Sequence, residues 1–330
     1  MIEISILGAG FMGQAHAANY EALGERVRVR SVCGRDPERA RKLAEQTGAE
    51  ATDDLDAAIA AADVVDICLP TPLHREVAER AFAAGKDVFL EKPIALTLED
   101  ADAIIRAAER SGRLFMVGLV LRFWPEYVEL QRRIASGELG RPHSVSAHRL
   151  SPPADWNDWM ADREQSGGTP VDLMIHDFDQ MNWLLGAPQS VYAREPAPAH
   201  VVAVVEYEGA TGVAEGSMRM PRSYPFSSNI RVLCENGTAE YSFSAAPAED
   251  GGNIGAPTAT RGLCLYREGG EPETVLVESA DPWGPEIAYF VECVEQGRPP
   301  EQGTGEQARE ALRVSLAANR SLESGRAEEV

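Results

Sequence analysis

The sequence lacks the features that place a chain in a membrane or on nucleic acid. Its 330 residues contain no run of about 18 apolar residues, and no basic segment followed by an apolar stretch opens the chain. We therefore expect neither a membrane span nor a signal peptide. The 31 Lys and Arg residues are outnumbered by 52 Asp and Glu residues, which gives a formal net charge of −21. Nucleic acid and anionic membranes require clustered cations, so we expect neither as a partner.

Cysteine is also scarce and scattered. The five cysteines are odd in number and have no spacing typical of a metal site. This pattern favours reduced thiols, a cytoplasmic location and no bound metal. The chain has no internal repeat and no low-complexity tract, and its length exceeds what one hydrophobic core usually holds. We therefore expect two domains.

The first 121 residues alternate between apolar strands and helices. Strands are predicted at 2–7, 27–33, 64–69, 87–90 and 114–119, with helices between them. Strands that alternate with helices form a parallel sheet with right-handed crossovers. We therefore predict an N-terminal Rossmann domain over residues 1–121, an α/β fold with a doubly wound parallel sheet.

The remainder of the chain has a different pattern. Helices are predicted at 125–136 and 171–185 and in two C-terminal segments, 285–296 and 304–324. Between 191 and 277, short β-rich runs are separated by glycine-containing turns, which is typical of an antiparallel sheet. Residues 122–330 are therefore predicted to be a second α/β domain with a mostly antiparallel sheet.

A glycine fingerprint, Gly8-Ala9-Gly10-Phe11-Met12-Gly13, follows the first strand and opens the first helix. Gly8 permits a tight bend, Gly10 lets the backbone approach a pyrophosphate, and Gly13 allows close packing of the helix. The phosphates would rest on N–H groups at the positive end of the helix dipole. The alternative is a merely structural glycine turn, but its place in a βαβ unit favours dinucleotide binding.

The end of the second predicted strand bears on the choice between NAD and NADP. An acidic residue about 20 positions after the last glycine would accept a ribose hydroxyl, but this chain has Gly34-Arg35 there. An arginine can pair with the 2′-phosphate of NADP and stack on adenine. Asp36 is a rival acid, although Asp-Pro is typical of a helix cap, and Arg35 as a solvated surface charge is the other alternative. We expect NADP as the preferred cofactor, with NAD as the alternative.

The motif Glu91-Lys92-Pro93 ends the apolar strand 87–90. Ligands bind at the carboxyl ends of parallel strands. An ammonium group at this edge can hydrogen-bond a substrate hydroxyl or carbonyl and favour alkoxide character. The alternative is a solvated lysine after a strand, the usual position of this residue type.

Asp172 and His176 are one helical turn apart in the predicted helix 171–185, on one stripe with Asp179. His176 can accept and release a proton near neutral pH, and Asp172 can orient its ring or contact substrate. A structural His–Asp pair is the alternative. The same spacing can begin a metal site, but no third ligand with a recognisable spacing follows.

Together these motifs resemble the family of glucose-fructose oxidoreductases, inositol dehydrogenases and MocA-like oxidoreductases. The resemblance covers nearly the whole chain. It rests on the glycine fingerprint, Pro70-Thr71-Pro72-Leu73-His74, Glu91-Lys92-Pro93, Arg122-Phe123 with Pro125, the segment from Gly167 to His176, and the C-terminal stretch 290–325. It implies a Rossmann domain followed by a substrate-binding and oligomerisation domain with an open, predominantly antiparallel sheet. It also implies a homodimer or homotetramer formed through that sheet.

The same resemblance implies roles for individual residues. Lys92 and His176 would be the catalytic pair, Asp172 would bind substrate or orient His176, and the Lys92–Pro93 peptide would be cis. Pro70, Thr71, His74 and Glu91 would line the nicotinamide side. The predicted dinucleotide contacts are Gly8, Gly10, Phe11, Met12, Gly13, Gly34, Arg35, Leu69, Pro70, Thr71, His74, Glu91, Lys92 and Arg122.

Two positions depart from the family's pattern. Val120-Leu121 stands where relatives often have a polar or methionine residue and a second arginine, which changes the contacts open to nicotinamide or substrate. Gly167-Gly168-Thr169 stands where many relatives have three glycines.

The function implied is an NAD(P)-dependent dehydrogenase or reductase that acts on CH–OH groups. It would move a hydride between nicotinamide and a secondary hydroxyl of a cyclic polyol or sugar, or the matching ketone. A loop with Trp156, Asn157, Asp158 and Trp159 offers aromatic and polar groups suited to a polyol ring. The alternatives are a non-catalytic dinucleotide-binding sensor of the same fold and a glycoside-cleaving relative that uses the nucleotide transiently.

Overall fold

The computed structural model describes residues 1–153, 159, 162–246, 259–278 and 281–330. The chain forms two compact units. The first consists of Met1–Val120 and Trp283–Arg309, and the second of Leu121–Pro282 and Glu310–Val330. No helix in the described ranges is long and apolar enough to cross a membrane.

The first unit is built on a six-stranded sheet in the order β3-β2-β1-β4-β5-β6. All its strand pairs are parallel. The strands are β1 Ile2–Leu7, β2 Val27–Cys33, β3 Glu50–Thr52, β4 Val64–Ile67, β5 Asp87–Leu90 and β6 Phe115–Val117. This order confirms the predicted doubly wound Rossmann sheet. The short edge strand β3 was not predicted, because its three residues are largely exposed and carry no apolar signal.

Five helices follow the strands of this sheet in sequence: α1 Phe11–Ala22, α2 Pro37–Thr47, α3 Leu55–Ala60, α4 His74–Ala83 and α5 Leu98–Ser111. Several begin at side-chain caps. Asp36 accepts hydrogen bonds from the N–H groups of Glu38 and Arg39, and Asp54 and Thr97 cap α3 and α5 in the same way. Local sequence therefore fixes where these helices start.

The second unit contains a nine-stranded sheet in the order β14-β13-β12-β11-β7-β10-β9-β8-β15. Only the pair β7–β10 is parallel, so the prediction of a mostly antiparallel sheet is confirmed. The strands are β7 Pro142–Leu150, β8 Pro188–Ala197, β9 His200–Tyr207, β10 Ala210–Ser217, β11 Phe226–Cys234, β12 Gly237–Ala245, β13 Thr260–Arg267, β14 Glu273–Val275 and β15 Glu328–Glu329. The helices that accompany it are α6 Pro125–Ala135, α7 Arg163–Ser166, α8 Thr169–Asp172 and α9 Ile175–Leu185.

The predicted single helix over 171–185 is wrong, because the structure divides it into α8 and α9. Between them Leu173 and Met174 form a turn, in which the N–H of Met174 donates to the oxygen of Thr169 at 2.9 Å. Met174 is fully buried and packs so closely on Gly216 of β10 that a Cβ there would lie 2.3 Å from its Cγ. The break between the two helices thus coincides with the close packing of Met174 on Gly216. Asp172 and His176 lie in two different helices, not in one continuous helix.

Two helices complete the chain, α10 Gly284–Gln296 and α11 Gly305–Ser324. Residues 283–309 belong to the first unit, whereas the sequence prediction assigned everything after residue 121 to the second domain. The reason is packing: the ring of Phe290 stacks on Phe89 of β5 at 5.4 Å, and the N–H of Val117 donates to the oxygen of Gly303 at 2.7 Å. The predicted boundary at residue 121 lies within one residue of the first division.

Candidate functional site

The turn between β1 and α1 can be formed only with glycine at two positions. Gly8 has φ of +116°, and a Cβ on it would lie 2.3 Å from the carbonyl oxygen of Cys68. A Cβ on Gly13 would lie 1.9 Å from the carbonyl oxygen of Gly8. The first contact places the turn against the end of β4, and the second places the start of α1 against the end of β1, as the fingerprint predicts.

Gly10 differs from the other two glycines, because a Cβ on it would meet nothing within 4 Å among the described atoms. It is the N-terminal cap of α1, and the first turn, which begins with Phe11 and Met12, has no acidic residue. The first N–H groups of a helix have no acceptor within the helix. Open space in front of N–H groups that have no acceptor within the helix fits the pyrophosphate of a dinucleotide.

The end of β2 holds the residues expected to face the adenosine. The N–H of Gly34 donates to the oxygen of Thr52 at 3.2 Å, and Arg35 is exposed. Asp36 is the cap of α2 with Pro37 as its first residue, which confirms the helix-cap interpretation of Asp-Pro. Its carboxylate already accepts the N–H groups of Glu38 and Arg39 at 3.0 and 3.1 Å.

The loop after β4 contains Leu69, Pro70 and Thr71 and leads into α4 at His74. The His74 ring is buried, with Nε2 2.8 Å from the oxygen of Leu69 and Nδ1 2.9 Å from the oxygen of Pro93. A neutral ring donates to one of these carbonyls at a time. His74 therefore joins the loop after β4 to the loop after β5.

Glu91, Lys92 and Pro93 directly follow β5, and the Lys92–Pro93 peptide is cis, as the resemblance implied. Glu91 is buried. Its Oε1 lies 3.0 Å from Nε2 of His16, and its Oε2 accepts the N–H of Lys92 at 3.1 Å. The side chain of Lys92 is partly exposed. Lys92 thus lies at the carboxyl edge of the sheet, next to the Glu91 carboxylate, which contacts His16 and the backbone N–H of Lys92.

A buried polar cluster around His16 was missed by the sequence analysis. Nδ1 of His16 is 2.9 Å from Oδ2 of Asp66, and the Sγ of Cys68 is 3.4 Å from both side chains. Glu286 of α10 is buried nearby, and burial together with the charge of Glu91 raises its pKa well above the usual range. One signal was present, a lone acid, Asp66, inside the apolar strand β4.

His16, Asp66 and Cys68 offer three potential metal ligands within 4.8 Å of one another. Ligands on a tetrahedral zinc ion, with bonds of about 2.0 Å, lie roughly 3.3 Å apart. The Nδ1–Oδ2 distance of 2.9 Å is instead that of a hydrogen bond. We therefore interpret the group as a hydrogen-bonded cluster.

In the second unit, Asp172 is buried at the end of α8, and His176 is partly exposed in the first turn of α9. Two acids of α9, Asp177 and Asp179, form buried ion pairs. Asp177 pairs with Arg149 of β7 at 2.9 Å, and both oxygens of Asp179 accept hydrogen bonds from Arg122 at 2.8 to 3.0 Å. These pairs fix α9, and with it the backbone at His176, within its own unit.

Arg122 was predicted to contact the dinucleotide. Its guanidinium is buried, is engaged by Asp179, and lies 5.0 Å from the centroid of the Trp183 ring. Both partners belong to the second unit. A contact of Arg122 with the dinucleotide stays a prediction.

The predicted site residues are thus divided between the two units. The first holds the glycine turn, the end of β2, the loop after β4, and Lys92. The second holds Arg122, Asp172 and His176. Residues 156–158 of the predicted polyol loop lie outside the described residues.

Both parts of the chain match models of known families. Residues 2–119 match the family described as "Oxidoreductase family, NAD-binding Rossmann fold", and residues 127–240 match the "GFO/IDH/MocA C-terminal domain".

Among individual relatives, the chain is 33% identical to the inositol 2-dehydrogenase of Rhizobium meliloti over 215 residues, which cover 64% of this chain and 62% of that enzyme. It is 27% identical to the myo-inositol 2-dehydrogenase of Thermotoga maritima, over 98% of this chain and 97% of that enzyme. The solved UDP-N-acetylglucosamine 3-dehydrogenase of Acidithiobacillus ferrooxidans is 26% identical, with a TM-score of 0.81 over 98% of both chains.

The resemblance suggested by the motifs is confirmed by these matches, and the glycine turn has the geometry that a dinucleotide requires. The chain therefore belongs to the GFO/IDH/MocA family of NAD(P)-dependent oxidoreductases.

Proposed function

We propose that this oxidoreductase acts on a secondary hydroxyl of a cyclic polyol or sugar, or on the matching ketone in the reverse direction. The observation that carries the proposal is the open, uncapped start of α1 at Gly10, at the same carboxyl edge of the sheet as Lys92. The names of the relatives support a polyol such as an inositol, and the nucleotide-sugar dehydrogenase extends the class to sugars.

When bound, the nicotinamide supplies the hydride acceptor or donor. We assign proton transfer to His176, which takes the hydroxyl proton during oxidation. The ammonium of Lys92 donates a hydrogen bond to the substrate oxygen and stabilises its developing negative charge. Asp172 orients the His176 ring or binds a neighbouring hydroxyl.

The test of these roles is the turnover of Lys92→Met and His176→Ala on a panel of inositols and sugars, followed by the absorbance of reduced nicotinamide. We expect kcat to fall by roughly 10²-fold or more for each, as for the loss of an acid–base group or an oxyanion donor. Lys42→Met and His143→Ala, at exposed positions, are matched controls. Near-wild-type turnover of the first two variants on a good substrate would refute the assignment.

We propose NADP as the preferred cofactor, with Arg35 as the residue that favours it. Arg35 is exposed beside Gly34, and the nearest acid in the sequence, Asp36, is occupied as a helix cap. Arg35→Ala should weaken NADP binding about tenfold, since one charge-assisted phosphate contact contributes roughly 1.5 kcal/mol. NAD binding should be unaffected, and Arg41→Ala on the exposed side of α2 is the control. If the wild type bound NAD more tightly than NADP, and Arg35→Ala changed the affinity for neither, the proposed preference for NADP would be wrong.

We also propose a homodimer or homotetramer formed through the nine-stranded sheet. The register of the strands places four partly exposed apolar side chains on one face of that sheet, namely Tyr192, Val213, Leu233 and Tyr266. The double variant Val213→Glu/Leu233→Glu should sediment as a smaller species than the wild type. Leu276→Glu, at an isolated exposed leucine, is the control. A wild type that sediments as a monomer at micromolar concentration would contradict the proposal.

We assign the protein to the cytoplasm. All five cysteines are free thiols, which suits a reducing compartment. Fractionation of cells that express the protein without a tag would test this.

A further inference from the structure

The indole of Trp283 contacts the first residue of the helix that follows the glycine fingerprint. Its centroid lies 5.7 Å from that of the Phe11 ring, and the two rings meet edge to face at 76°. Phe11 begins α1 directly after Gly10, and Trp283 directly precedes α10. Both residues belong to the first unit. An aromatic residue from late in the chain therefore lies at the turn that fits a pyrophosphate, although the sequence analysis assigned it to the second domain.

The packing of α10 shows which edge of the sheet Trp283 occupies. The ring of Phe89 of β5 stacks on His16 of α1 at 5.3 Å and on Phe290 of α10 at 5.4 Å. A side chain of a strand points to one face of its sheet, so α1 and α10 cover the same face. Since the residue before α10 meets the first residue of α1, both helices begin at the carboxyl edge, where α1 follows β1.

The strand order places Trp283 on one side of the turn. In the order β3-β2-β1-β4-β5-β6, β2 and β5 lie on opposite sides of β1. The end of the second strand of a Rossmann fold faces the adenosine ribose, so the nicotinamide half extends toward the other side. Because α10 packs on β5, whose end leads to Lys92, Trp283 lies on the nicotinamide side of α1.

The surroundings of the indole leave room for a ligand. Trp283, Phe11 and Gly10 are all partly exposed, and a Cβ on Gly10 would meet nothing within 4 Å among the described atoms. An indole offers a large apolar face, which suits the face of a ribose or of a pyridine ring. The edge of the Phe11 ring against it is the arrangement that aromatic pairs prefer, so this contact orients the indole.

We propose that Trp283 is a dinucleotide-binding residue that covers the nicotinamide–ribose half of the cofactor, and that the Phe11 ring holds its indole in place. The inference rests on the proposed function only in taking the start of α1 as the pyrophosphate site. The segment that returns to the first unit thus contributes to cofactor binding as well as to the core.

The test compares the whole dinucleotide with its adenosine half. The Kd values of NADPH, NADH and adenosine monophosphate are measured by calorimetry without any substrate. Trp283→Ala should raise the Kd of both dinucleotides about tenfold and by the same factor, the size of the loss of one aromatic contact to a ring. The Kd of adenosine monophosphate should stay within about twofold of the wild type. Trp283→Phe should recover most of the affinity for the dinucleotides.

Tyr289→Ala is the matched control, because Tyr289 is a partly exposed aromatic residue of the same helix whose ring contacts Arg298. It should leave every Kd within about twofold of the wild type. Unchanged dinucleotide binding in Trp283→Ala would overturn the proposal. An equal loss for adenosine monophosphate would also overturn it, since that result would indicate a general distortion of the turn.

A double-mutant cycle tests the role of the Phe11 ring. Phe11→Leu keeps the backbone N–H of this residue but removes the ring that meets the indole. It should weaken dinucleotide binding in the wild type and add little to the loss in Trp283→Ala, because both changes remove the same interaction. Fully additive losses would contradict the assignment of Phe11 as the residue that holds the indole.

A second measurement detects the contact in a protein with its full side chains. The five tryptophans are labelled with fluorotryptophan, and the fluorine NMR signal that disappears in Trp283→Phe is assigned to residue 283. This signal should shift on addition of NADH or NADPH and should not shift with adenosine monophosphate. A signal that ignores the dinucleotides, or responds equally to the fragment, would overturn the proposal. Neither readout uses polyol turnover, so an error in the substrate class leaves these tests intact.

Discussion

At the scale of single residues, the buried acids of the first unit differ in their hydrogen-bond partners, and for one of them, Glu286, this decides the protonation state. Glu91 and Asp66 each contact His16, whereas neither oxygen of Glu286 has a hydrogen-bond partner within the described parts of the chain. Burial without such a partner raises the pKa of Glu286 well above 4.5. Glu286 is therefore held in its neutral form.

This leads to a prediction about stability. Below pH 4.5 Glu286 is protonated in both the folded and the unfolded chain, but above it only the folded chain keeps the proton. Folding then becomes less favourable by about 1.4 kcal/mol per pH unit until the folded pKa is reached. Glu286→Gln removes this penalty, so its free energy of unfolding should exceed that of the wild type by more at pH 8 than at pH 5. Urea unfolding at both pH values measures the difference.

Glu292→Gln, on a more exposed turn of the same helix, controls for the removal of a carboxylate. If Glu286→Gln changed the stability equally at pH 5 and pH 8, Glu286 would have to be ionised in the folded protein.

The residue scale also shows where sequence reasoning reached its limit. Asp36 was identified as a helix cap because Asp-Pro carries that information locally, and the structure confirms it. The His16 cluster has no local signature, since Asp66 stands 50 positions after its partner. Such contacts depend on the order of the strands, and only a complete topology brings them together.

At the scale of elements, two glycines of the turn before α1 have different roles, one in the stability of the fold and the other in dinucleotide binding. Gly13 has no room for a Cβ, whereas Gly10 has open space and a φ of −81°, which any residue can adopt. The same fingerprint therefore contains one glycine required for folding and one whose small size matters only when a ligand approaches.

We therefore predict opposite effects of two alanine substitutions. Gly13→Ala should destabilise the protein by several kcal/mol, because the new methyl group overlaps the oxygen of Gly8. Gly10→Ala should cost less than about 1 kcal/mol in the free protein, the usual range for a change at a helix cap. It should nevertheless weaken NADPH and NADH binding at least tenfold. Thermal unfolding and fluorescence titration of each variant measure the two quantities.

A Gly10→Ala variant that bound both dinucleotides like the wild type would show that this turn does not contact the pyrophosphate. Gly24→Ala, in the loop after α1, is a control with open space but a φ of +60°. It should lose some stability and keep its affinity.

The segment around His176 shows how far periodicity alone can be used. The five predicted apolar positions, Val171, Met174, Ile175, Phe178 and Met181, are all fully buried, so the helical pattern identified the core correctly. It did not reveal the turn between α8 and α9, which accompanies the contact of Met174 with Gly216. The hydrophobic period predicts which side chains face the core. It does not predict a local break in the helix that leaves these side chains buried.

At the scale of the whole molecule, the alternation of strands and helices was sufficient to predict the parallel sheet, and the short β-rich runs between glycine-containing turns were sufficient to predict the mostly antiparallel sheet. The sequence pattern did not predict that residues 283–309 belong to the first unit. An amphipathic helix shows that it has an apolar face but not which sheet covers that face. Here Phe290 meets Phe89, about two hundred positions earlier in the chain.

The return segment makes a prediction about the isolated Rossmann portion. Ile287, Phe290 and Val291 of α10 are almost completely buried, and each contributes roughly 1.5–3 kcal/mol. Their sum is comparable to the total stability of a typical domain, about 5–15 kcal/mol. A fragment of residues 1–121 should therefore lack cooperative thermal unfolding and bind hydrophobic dyes.

Addition of a peptide of residues 283–309 should restore a cooperative transition and suppress dye binding, because it returns the missing apolar face and the backbone contact of Gly303 with Val117. The same peptide with Phe290→Ser should fail, since it loses the ring that stacks on Phe89. A fragment 1–121 that unfolds cooperatively without the peptide would mean that α10 only covers a core that is complete without it. In that case the division of the chain at residue 121, as the sequence alone predicted, would be the correct description of its folding units.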